Sequence, residues 1–400
     1  MTNISSFIFS IFLSLFLVLP KIGIVDLTII PLILVFFYQI IKGKLYFKFS
    51  WPIYYALLIV VFISFWAIFS SLINHGSFYS EFLFKPFRVI VVLLLLNFNF
   101  QLYDNEKLVS IVINSIIIAA TINAMVVLIQ YFNGVTGFGD PLFLKSSAFG
   151  DLDTPYRKPG ITAGYPVTGM LSLFGVLCSF WMYYVNRKSV IYFLSFSLSL
   201  FGLLLGARTT LLIFFLFSPI LFIWVARLNK AKFTFLSIVV IGFILYIISQ
   251  YFINDYIKGT VDVMFANFFN YFSTGDALDY SSKDLVENHY KLPISIKDIV
   301  FGNSLPPRLS PVNTDVSYIR IWWSNGIIGL LLYLSHVLLL LYTALSSSID
   351  KGSKVFILLM FTSVIIASFK GPFIFSRMSY DILIMLALAV FSSKTLKVNS

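Results

Sequence analysis

Asp315 is the residue of this sequence best placed to act as a general base. It stands just before an apolar segment that contains Tyr318 and Trp322, two aromatic residues about one helical turn apart on one face. A carboxylate that faces a cationic cavity can accept a proton from a substrate hydroxyl group. Aspartate is also a favoured helix N-cap residue, so the sequence leaves the roles of base and helix cap open.

The arginines indicate a second kind of chemistry. Six of the eight lie outside the short lysine-rich loops: Arg88, Arg157, Arg208, Arg308, Arg320 and Arg377. The planar guanidinium fork suits bidentate contacts to phosphate, whereas lysine acts as a point charge. We interpret this group as lining a phosphate-binding cavity, with Arg88, Arg320, Lys370 and Arg377 as candidate substrate-binding residues. Snorkelling to lipid headgroups is the alternative for any single one of them.

A short polar turn places one of these arginines at a helix mouth. The apolar stretch 190–226 is too long for one helix, and only Gly206-Ala207-Arg208-Thr209-Thr210 interrupts it. Two helices of about 18 residues would turn there with almost no loop and hold Arg208 at the membrane boundary. An ionisable residue at that depth is a candidate functional group, although a simple turn marker fits the same pattern.

Two outer loops carry further candidates. In the loop 132–164, Tyr156, Arg157 and Lys158 precede Pro159-Gly160, and two cations beside a tyrosine could hold an anionic sugar or a pyrophosphate. A solvated loop is the alternative. The loop 251–317 contains His289, which could act as a base near neutral pH or simply be solvated. The histidines show no metal-ligand spacing, so we expect no metal site.

The composition indicates the class of fold that must position these residues. The chain of 400 residues is 59% apolar and 11% charged, with a mean hydropathy of +0.93, whereas soluble domains are about 25% charged. The sequence therefore predicts a polytopic membrane protein. The net charge of +11 is attributed to residues that set topology, and no nucleic-acid partner is expected. The single cysteine, Cys178, excludes an intramolecular disulfide.

Apolar segments suited to spanning a bilayer occur about twelve times. Their approximate bounds are 4–19, 22–41, 52–73, 87–100, 109–131, 165–185, 190–207, 209–226, 233–250, 318–345, 355–369 and 378–391. The first lacks a preceding basic residue and is predicted to be a retained helix rather than a signal peptide. The fold class is thus an all-α membrane protein with one long outer loop before the tenth span.

Loop charges predict the orientation. The short loops and the tail hold 13 of the 28 Lys and Arg residues within about 45 residues, and such dense basic loops face the cytoplasm. Both termini are therefore predicted to be cytoplasmic. We divide the chain into a membrane bundle of nine spans (1–250), a long periplasmic loop (251–317), and a second membrane segment of three spans with a cytoplasmic tail (318–400).

These features together resemble the O-antigen polymerases, whose superfamily also contains the O-antigen ligases. Asp315, followed by an aromatic helix that reaches Gly326-Ile327-Ile328-Gly329, looks like the helix after the large periplasmic loop of those polymerases. The Gly-Ala-Arg turn at Arg208 is similar to a small-Arg-small turn of the superfamily. Arg157, three residues before Gly160, is similar to its preceding-loop arginine. The twelve-span plan extends the resemblance over nearly the whole chain.

Peptidoglycan polymerases of the shape, elongation and division family share the Asp and the Gly-x-x-Gly at similar spacing, and there the Asp is regarded as the catalytic base. This chain departs from them just before the first glycine, where Ser324 and Asn325 replace an acidic pair. The ligases place a His near the position that Asp315 holds, and here His289 lies upstream.

The resemblance implies a membrane glycosyltransferase of the GT-C type in the bacterial inner membrane. It would polymerise undecaprenyl-pyrophosphate-linked oligosaccharide repeat units, with Asp315 and Arg208 as catalytic residues and with the active site facing the periplasm. The implied partners are the lipid-linked donor and acceptor, membrane lipid and a polysaccharide chain-length regulator, and no cofactor is expected. An O-antigen ligase and a lipid-linked oligosaccharide flippase are the alternatives, and a flippase should carry ionisable residues along a central cavity.

Overall fold

The computed structural model describes most of the chain. The described residues are 3–19, 21–22, 25–43, 49–76, 79–101, 103, 105–136, 157–162, 164–186, 190–226, 245, 249, 251–275, 283–305, 309–310, 312, 314–347 and 349–392.

The described residues are almost entirely helical. The helices are α1 (Asn3–Val18), α2 (Ile29–Ile41), α3 (Trp51–His75), α4 (Glu81–Phe100), α5 (Asn105–Thr136), α6 (Tyr165–Asn186), α7 (Val190–Leu204), α8 (Arg208–Ala226), α9 (Asp255–Met264), α10 (Ala266–Thr274), α11 (Ile296–Phe301), α12 (Ser317–Leu345), α13 (Lys351–Ala367) and α14 (Ser379–Ser392). A single π-helical turn lies at Leu285–His289, and two short strands, β1 (Lys21–Ile22) and β2 (Val25–Asp26), pair with each other.

The helices indicate a membrane-embedded protein. Within the described residues, five segments are long and apolar enough to cross a bilayer: Trp51–His75, Phe82–Phe100, Lys107–Phe132, Tyr165–Val185 and Ser317–Leu345. Shorter apolar helices occur at several other predicted spans, whereas the ninth, 233–250, lies almost wholly outside the described residues. An α-helical polytopic architecture follows, and the count of twelve spans stays a prediction.

The second predicted span is shorter than the hydropathy pattern indicates. The sequence predicts a helix from residue 22, but α2 begins at Ile29. The strands Lys21–Ile22 and Val25–Asp26 pair there instead, and the Asp26 carboxylate accepts hydrogen bonds from the backbone and the hydroxyl of Thr28 at 3.2 and 2.6 Å. This local pairing competes with helix and delays its start.

The helices pack into two compact units. The first comprises Met1–Leu17, Asp26–Ser115 and Ser282–Ser400, and the second comprises Val18–Val25 and Ile116–Ser281. The predicted outer loop 251–317 therefore contributes to both units. Asp315 belongs to the first unit and Arg208 to the second.

Contacts within the first unit show which helix ends lie together. The Trp51 ring at the start of α3 contacts Tyr342 near the end of α12 and Phe391 near the end of α14, at centroid distances of 6.1 and 5.8 Å. The predicted topology likewise places all three positions on one face of the membrane. Which face is cytoplasmic stays a prediction.

Helix α12 is broken at Gly326, although the sequence predicts one uninterrupted span. Gly326 has φ 67° and ψ −177°, a region open essentially to glycine alone. The freed carbonyls of Trp323 and Ser324 accept hydrogen bonds from the backbone of Asn303 and Ser304, at 2.6 and 3.1 Å. The loop after α11 thus satisfies the backbone at the break, which is how broken membrane helices are tolerated.

Candidate functional site

Asp315 is not the N-cap of α12. The helix begins at Ser317, its N-cap position is Val316, and no side chain caps it. The backbone N–H of Ser317 instead donates to the Ser368 carbonyl at 3.0 Å. The helix-cap interpretation is therefore wrong. The Asp315 side chain is exposed, and within the described part of the chain its carboxylate makes no hydrogen bond or ion pair.

One cation lies near this carboxylate, and a second cation lies near the first. The charge of Asp315 acts on Arg320, which lies half-buried in the first turns of α12. Arg320 in turn lies close enough to the exposed Lys85 of α4 for the two positive charges to repel each other. Among the described residues, neither cation has a hydrogen-bonded carboxylate. The sequence indicated Arg320 but not Lys85, because nothing local distinguishes a lysine at a helix start.

His289 reaches the backbone rather than the carboxylate of Asp315. Its Nδ1 accepts a hydrogen bond from the Asp315 N–H at 3.2 Å, and its Nε2 lies 3.3 Å from the Asp284 carboxylate. The Thr314 hydroxyl donates to the His289 carbonyl at 2.9 Å. The structure thus brings His289 and Asp315 together from positions 26 residues apart in the chain.

An aromatic surface borders the same segment. The Tyr318 hydroxyl donates to the Ile365 carbonyl at 2.8 Å, and its ring lies 4.7 Å from that of Phe369. The Tyr290 hydroxyl donates to the Phe369 carbonyl, and burial raises the pKa of Tyr290. Lys370 follows Phe369 directly, so these contacts place its backbone beside Tyr318. Tyr290 and Phe369 remain 39% and 52% exposed and offer ring faces to solvent.

Arg88 and Arg377 lie in an ion network that the sequence did not reveal. The Arg88 guanidinium donates to both Asp381 oxygens at 2.8 Å and, through Nε, to Asp26 at 2.7 Å. Arg377 lies 3.3 Å from the other Asp26 oxygen. The network therefore joins the first half of α4, the segment before α2 and the start of α14. Two arginines and two aspartates balance its formal charge.

The network shifts the ionisation of Asp26 and Arg377, the two members that lie outside the helices. Burial raises the pKa of the Asp26 carboxyl, but the Thr28 hydrogen bond and the charges of Arg88 and Arg377 outweigh burial and bring the pKa below its ordinary value. Burial also lowers the pKa of Arg377, against the attraction of Asp26. Asp381 is only 1% exposed. An acidic residue inside the predicted span 378–391 was a signal that a buried partner must exist.

The second unit brings together two segments that the sequence singled out separately. The Lys158 backbone N–H donates to the Leu205 carbonyl at 3.1 Å, directly before the Gly-Ala-Arg turn. Lys158 is buried, and the Arg157 guanidinium lies 5.2 Å over the Tyr165 ring. Arg208 is the first residue of α8 and is half-buried. The basic loop and the Arg208 turn therefore lie next to each other, whereas Tyr156 and Arg308 lie outside the described residues.

Amide side chains of α5 hold the basic loop in place. Gln130 forms two hydrogen bonds with the backbone of Gly160, at 2.9 and 3.1 Å, and Asn123 accepts from the Ile161 N–H at 2.8 Å. Gly160 has φ +61°, and a Cβ there would lie 2.3 Å from the Asn123 Oδ1. Only glycine permits this approach, which explains the Pro-Gly pair after Lys158.

The turn itself depends on close helix contacts. A Cβ on Gly169 of α6 would lie 2.4 Å from the Thr210 Oγ1 and 2.9 Å from the Ala207 nitrogen. A Cβ on Gly206 would lie 2.9 Å from the Gly169 Cα. Small residues thus let α6 approach the turn closely, as is common for membrane helices. This packing fixes the backbone from which Arg208 projects.

Comparison with known proteins does not identify the function of the site. No family model and no curated protein matches the sequence. Among the described residues, no three His, Cys, Asp or Glu side chains lie close enough together to hold a metal ion.

Proposed function

We propose that the protein polymerises undecaprenyl-pyrophosphate-linked oligosaccharide repeat units on the outer face of the bacterial inner membrane. In this proposal it is a twelve-span glycosyltransferase of the GT-C type with both termini in the cytoplasm. The product is O-antigen or a related surface polysaccharide. The proposal rests on the residues that resemble the O-antigen polymerases and on the arrangement around them.

The observation that carries the proposal is the state of the Asp315 carboxylate. It is exposed, it caps no helix, and it makes no hydrogen bond within the described residues. A carboxylate kept free of structural bonds beside a cation is suited to accept a proton. Tyr290 and Phe369 add exposed aromatic faces, which suit the apolar faces of sugars.

The proposed reaction needs one proton acceptor and one set of cations. The non-reducing-end hydroxyl of one repeat unit attacks C1 of the sugar on the growing lipid-linked chain, and its proton passes to Asp315. The bond between C1 and the pyrophosphate oxygen breaks, and its electron pair leaves with undecaprenyl pyrophosphate. Preorganised guanidinium groups stabilise the negative charge that develops there.

Each unit by itself contains cations that could bind a pyrophosphate. In the second unit, the bond between Lys158 and Leu205 brings the segment with Arg157 and Lys158 next to the turn that carries Arg208. In the first unit, Arg320 and Lys85 repel each other and have no hydrogen-bonded carboxylate among the described residues. Arg88 and Arg377 are balanced by Asp26 and Asp381, so we assign them the task of holding helix ends rather than substrate.

One observation favours the ligase as a second candidate. His289 contacts the backbone of Asp315, and the ligases of the superfamily place a His near that position. A ligase transfers a finished chain to an acceptor, whereas a polymerase lengthens it. The two enzymes share the lipid-linked donor, so the acceptor side of the site must distinguish them.

Deletion of the gene distinguishes the candidates through the surface polysaccharide profile. Loss of a polymerase leaves single repeat units attached to their acceptor. Loss of a ligase removes all of them, and loss of a flippase accumulates lipid-linked units on the inner face. We expect single units, restored to long chains by the wild-type gene. An unchanged ladder of chain lengths would contradict the proposal.

A further inference from the structure

We propose that His289 is a positioning residue, which holds the backbone at Asp315 through a hydrogen bond that its Nδ1 atom accepts from the Asp315 N–H. The inference rests on the proposed role of Asp315 as the base. It gives His289 a different task from that of an alternative base.

The hydrogen bonds assign the tautomer of His289. A backbone N–H can only donate, so the Nδ1 atom that lies 3.2 Å from the Asp315 nitrogen must carry a lone pair. The hydrogen of the neutral ring is then on Nε2, which lies 3.3 Å from the Asp284 Oδ2. Both ring nitrogens are engaged, and neither is available to take a proton from a substrate in this arrangement.

Further hydrogen bonds extend this contact. Together they form a connection, here called the strap, between the turn Leu285–His289 and residues 314–316. The Thr314 hydroxyl donates to the His289 carbonyl at 2.9 Å and accepts from the Val316 N–H at 3.1 Å. On the other side, the Asn288 amide donates to the second Asp284 oxygen at 2.7 Å. The π-helical turn Leu285–His289 is thereby fastened to residues 314–316.

The strap holds the backbone at Asp315, which lies before the first residue of α12 and is not held by that helix. No side chain caps α12, and the Asp315 carboxylate has no partner among the described residues. The hydrogen bond from the Asp315 N–H to His289 constrains the backbone from which the carboxylate projects. A misplacement of about 1 Å in a catalytic group is enough to cost a large part of the rate.

Two substitutions separate the positioning role of His289 from the effect of removing its side-chain volume. In His289→Asn the amide oxygen can take the place of Nδ1 as acceptor, whereas His289→Ala has no acceptor. Polymer formation is measured in proteoliposomes at pH 8. We expect the Ala variant to be roughly 5- to 10-fold slower than the wild type and the Asn variant to be close to the wild type. An Asn variant as slow as Ala, or an Ala variant as fast as the wild type, would overturn the inference.

Hydrogen exchange keeps this test independent of the proposed function. Mass spectrometry of the peptide that contains position 315 measures the exchange of its backbone amide. We expect slow exchange of the Asp315 amide in the wild type, faster exchange after His289→Ala and slow exchange again after His289→Asn. Equal rates in all three would overturn the strap. A difference in exchange without any polymer from the wild type would instead overturn the proposed function and leave the strap standing.

Discussion

The guanidinium of Arg88 makes two parallel hydrogen bonds of 2.8 Å to the carboxylate of Asp381, although 293 residues separate them in the chain. Arg88 is 14% exposed and Asp381 is 1% exposed. A bidentate, buried pair of this kind fixes geometry as well as charge. It holds the start of α14 to the start of α4, and Asp26 extends the connection to the segment before α2.

Removal of one member of this pair should destabilise the protein more than removal of both. Arg88→Met leaves an excess carboxylate and Asp381→Leu an excess guanidinium, and an uncompensated buried charge typically costs about 3–5 kcal/mol. The double variant leaves the pair of Asp26 and Arg377 with balanced charge. Thermal unfolding in detergent measures all three variants. Additive losses in the double variant would show that the pair is not coupled.

Gly326 offers a second test, with a control built into the chain. A Cβ at Gly326 would lie 2.0 Å from the Val300 carbonyl oxygen, whereas Gly275 also has a positive φ but open space around it. Gly275→Ala should cost about 1–2 kcal/mol from backbone strain alone. Gly326→Ala must in addition displace the loop after α11, so we expect a markedly lower melting temperature and membrane abundance. Equal effects of the two substitutions would contradict the broken helix.

The sequence predicted much of the architecture but little of the pairing within it. Apolar runs indicated the helices, because burial in lipid requires long apolar segments whatever their neighbours. The start of α2 was wrong, because Asp26 and Thr28 bond locally where hydropathy alone continues. The break in α12 depends on a loop that supplies N–H donors from 20 residues upstream, which no local pattern records.

The candidate site, too, could be predicted from the sequence only in part. Asp315 and Arg208 could be singled out, because a charge at the end of an apolar segment is conspicuous. Their surroundings could not be predicted, since they depend on contacts between distant segments. The residue types alone do not tell Arg88, which is held by two aspartates, from Arg320, which has no such bond among the described residues.

Cysteine labelling of intact cells tests the orientation. In a Cys178→Ser background, we expect an impermeant reagent to label Glu287→Cys, on the predicted outer face, and not Lys351→Cys or Lys42→Cys on the inner face. All three native side chains are exposed, so accessibility within the protein is matched. Permeabilised cells should label all three. Labelling of position 351 but not of position 287 in intact cells would show that the orientation is the reverse of the predicted one.

Arg208 should be catalytically important and hard to replace. If its guanidinium binds the leaving pyrophosphate, Arg208→Ala should slow polymerisation by roughly 10²–10³, by analogy with removal of an oxyanion donor. Arg208→Lys should be little faster than Arg208→Ala, because lysine lacks the bidentate guanidinium fork. Lys297→Ala, at an exposed outer position, serves as the control. Normal chain lengths from both Arg208 variants, at equal abundance, would reduce Arg208 to a turn residue.

The most direct test of the central claim uses purified protein in liposomes with undecaprenyl-pyrophosphate-linked repeat units. We expect the wild type to form long chains and to release undecaprenyl pyrophosphate. Asp315→Asn should fold and insert normally yet lose roughly 10²–10⁴ of the rate, because the amide cannot accept the proton. Since Asp315 caps no helix, Asp315→Ala should unfold at the same temperature as Asp315→Asn. Wild-type polymer from the Asn variant, or no polymer from the wild type, would contradict the account.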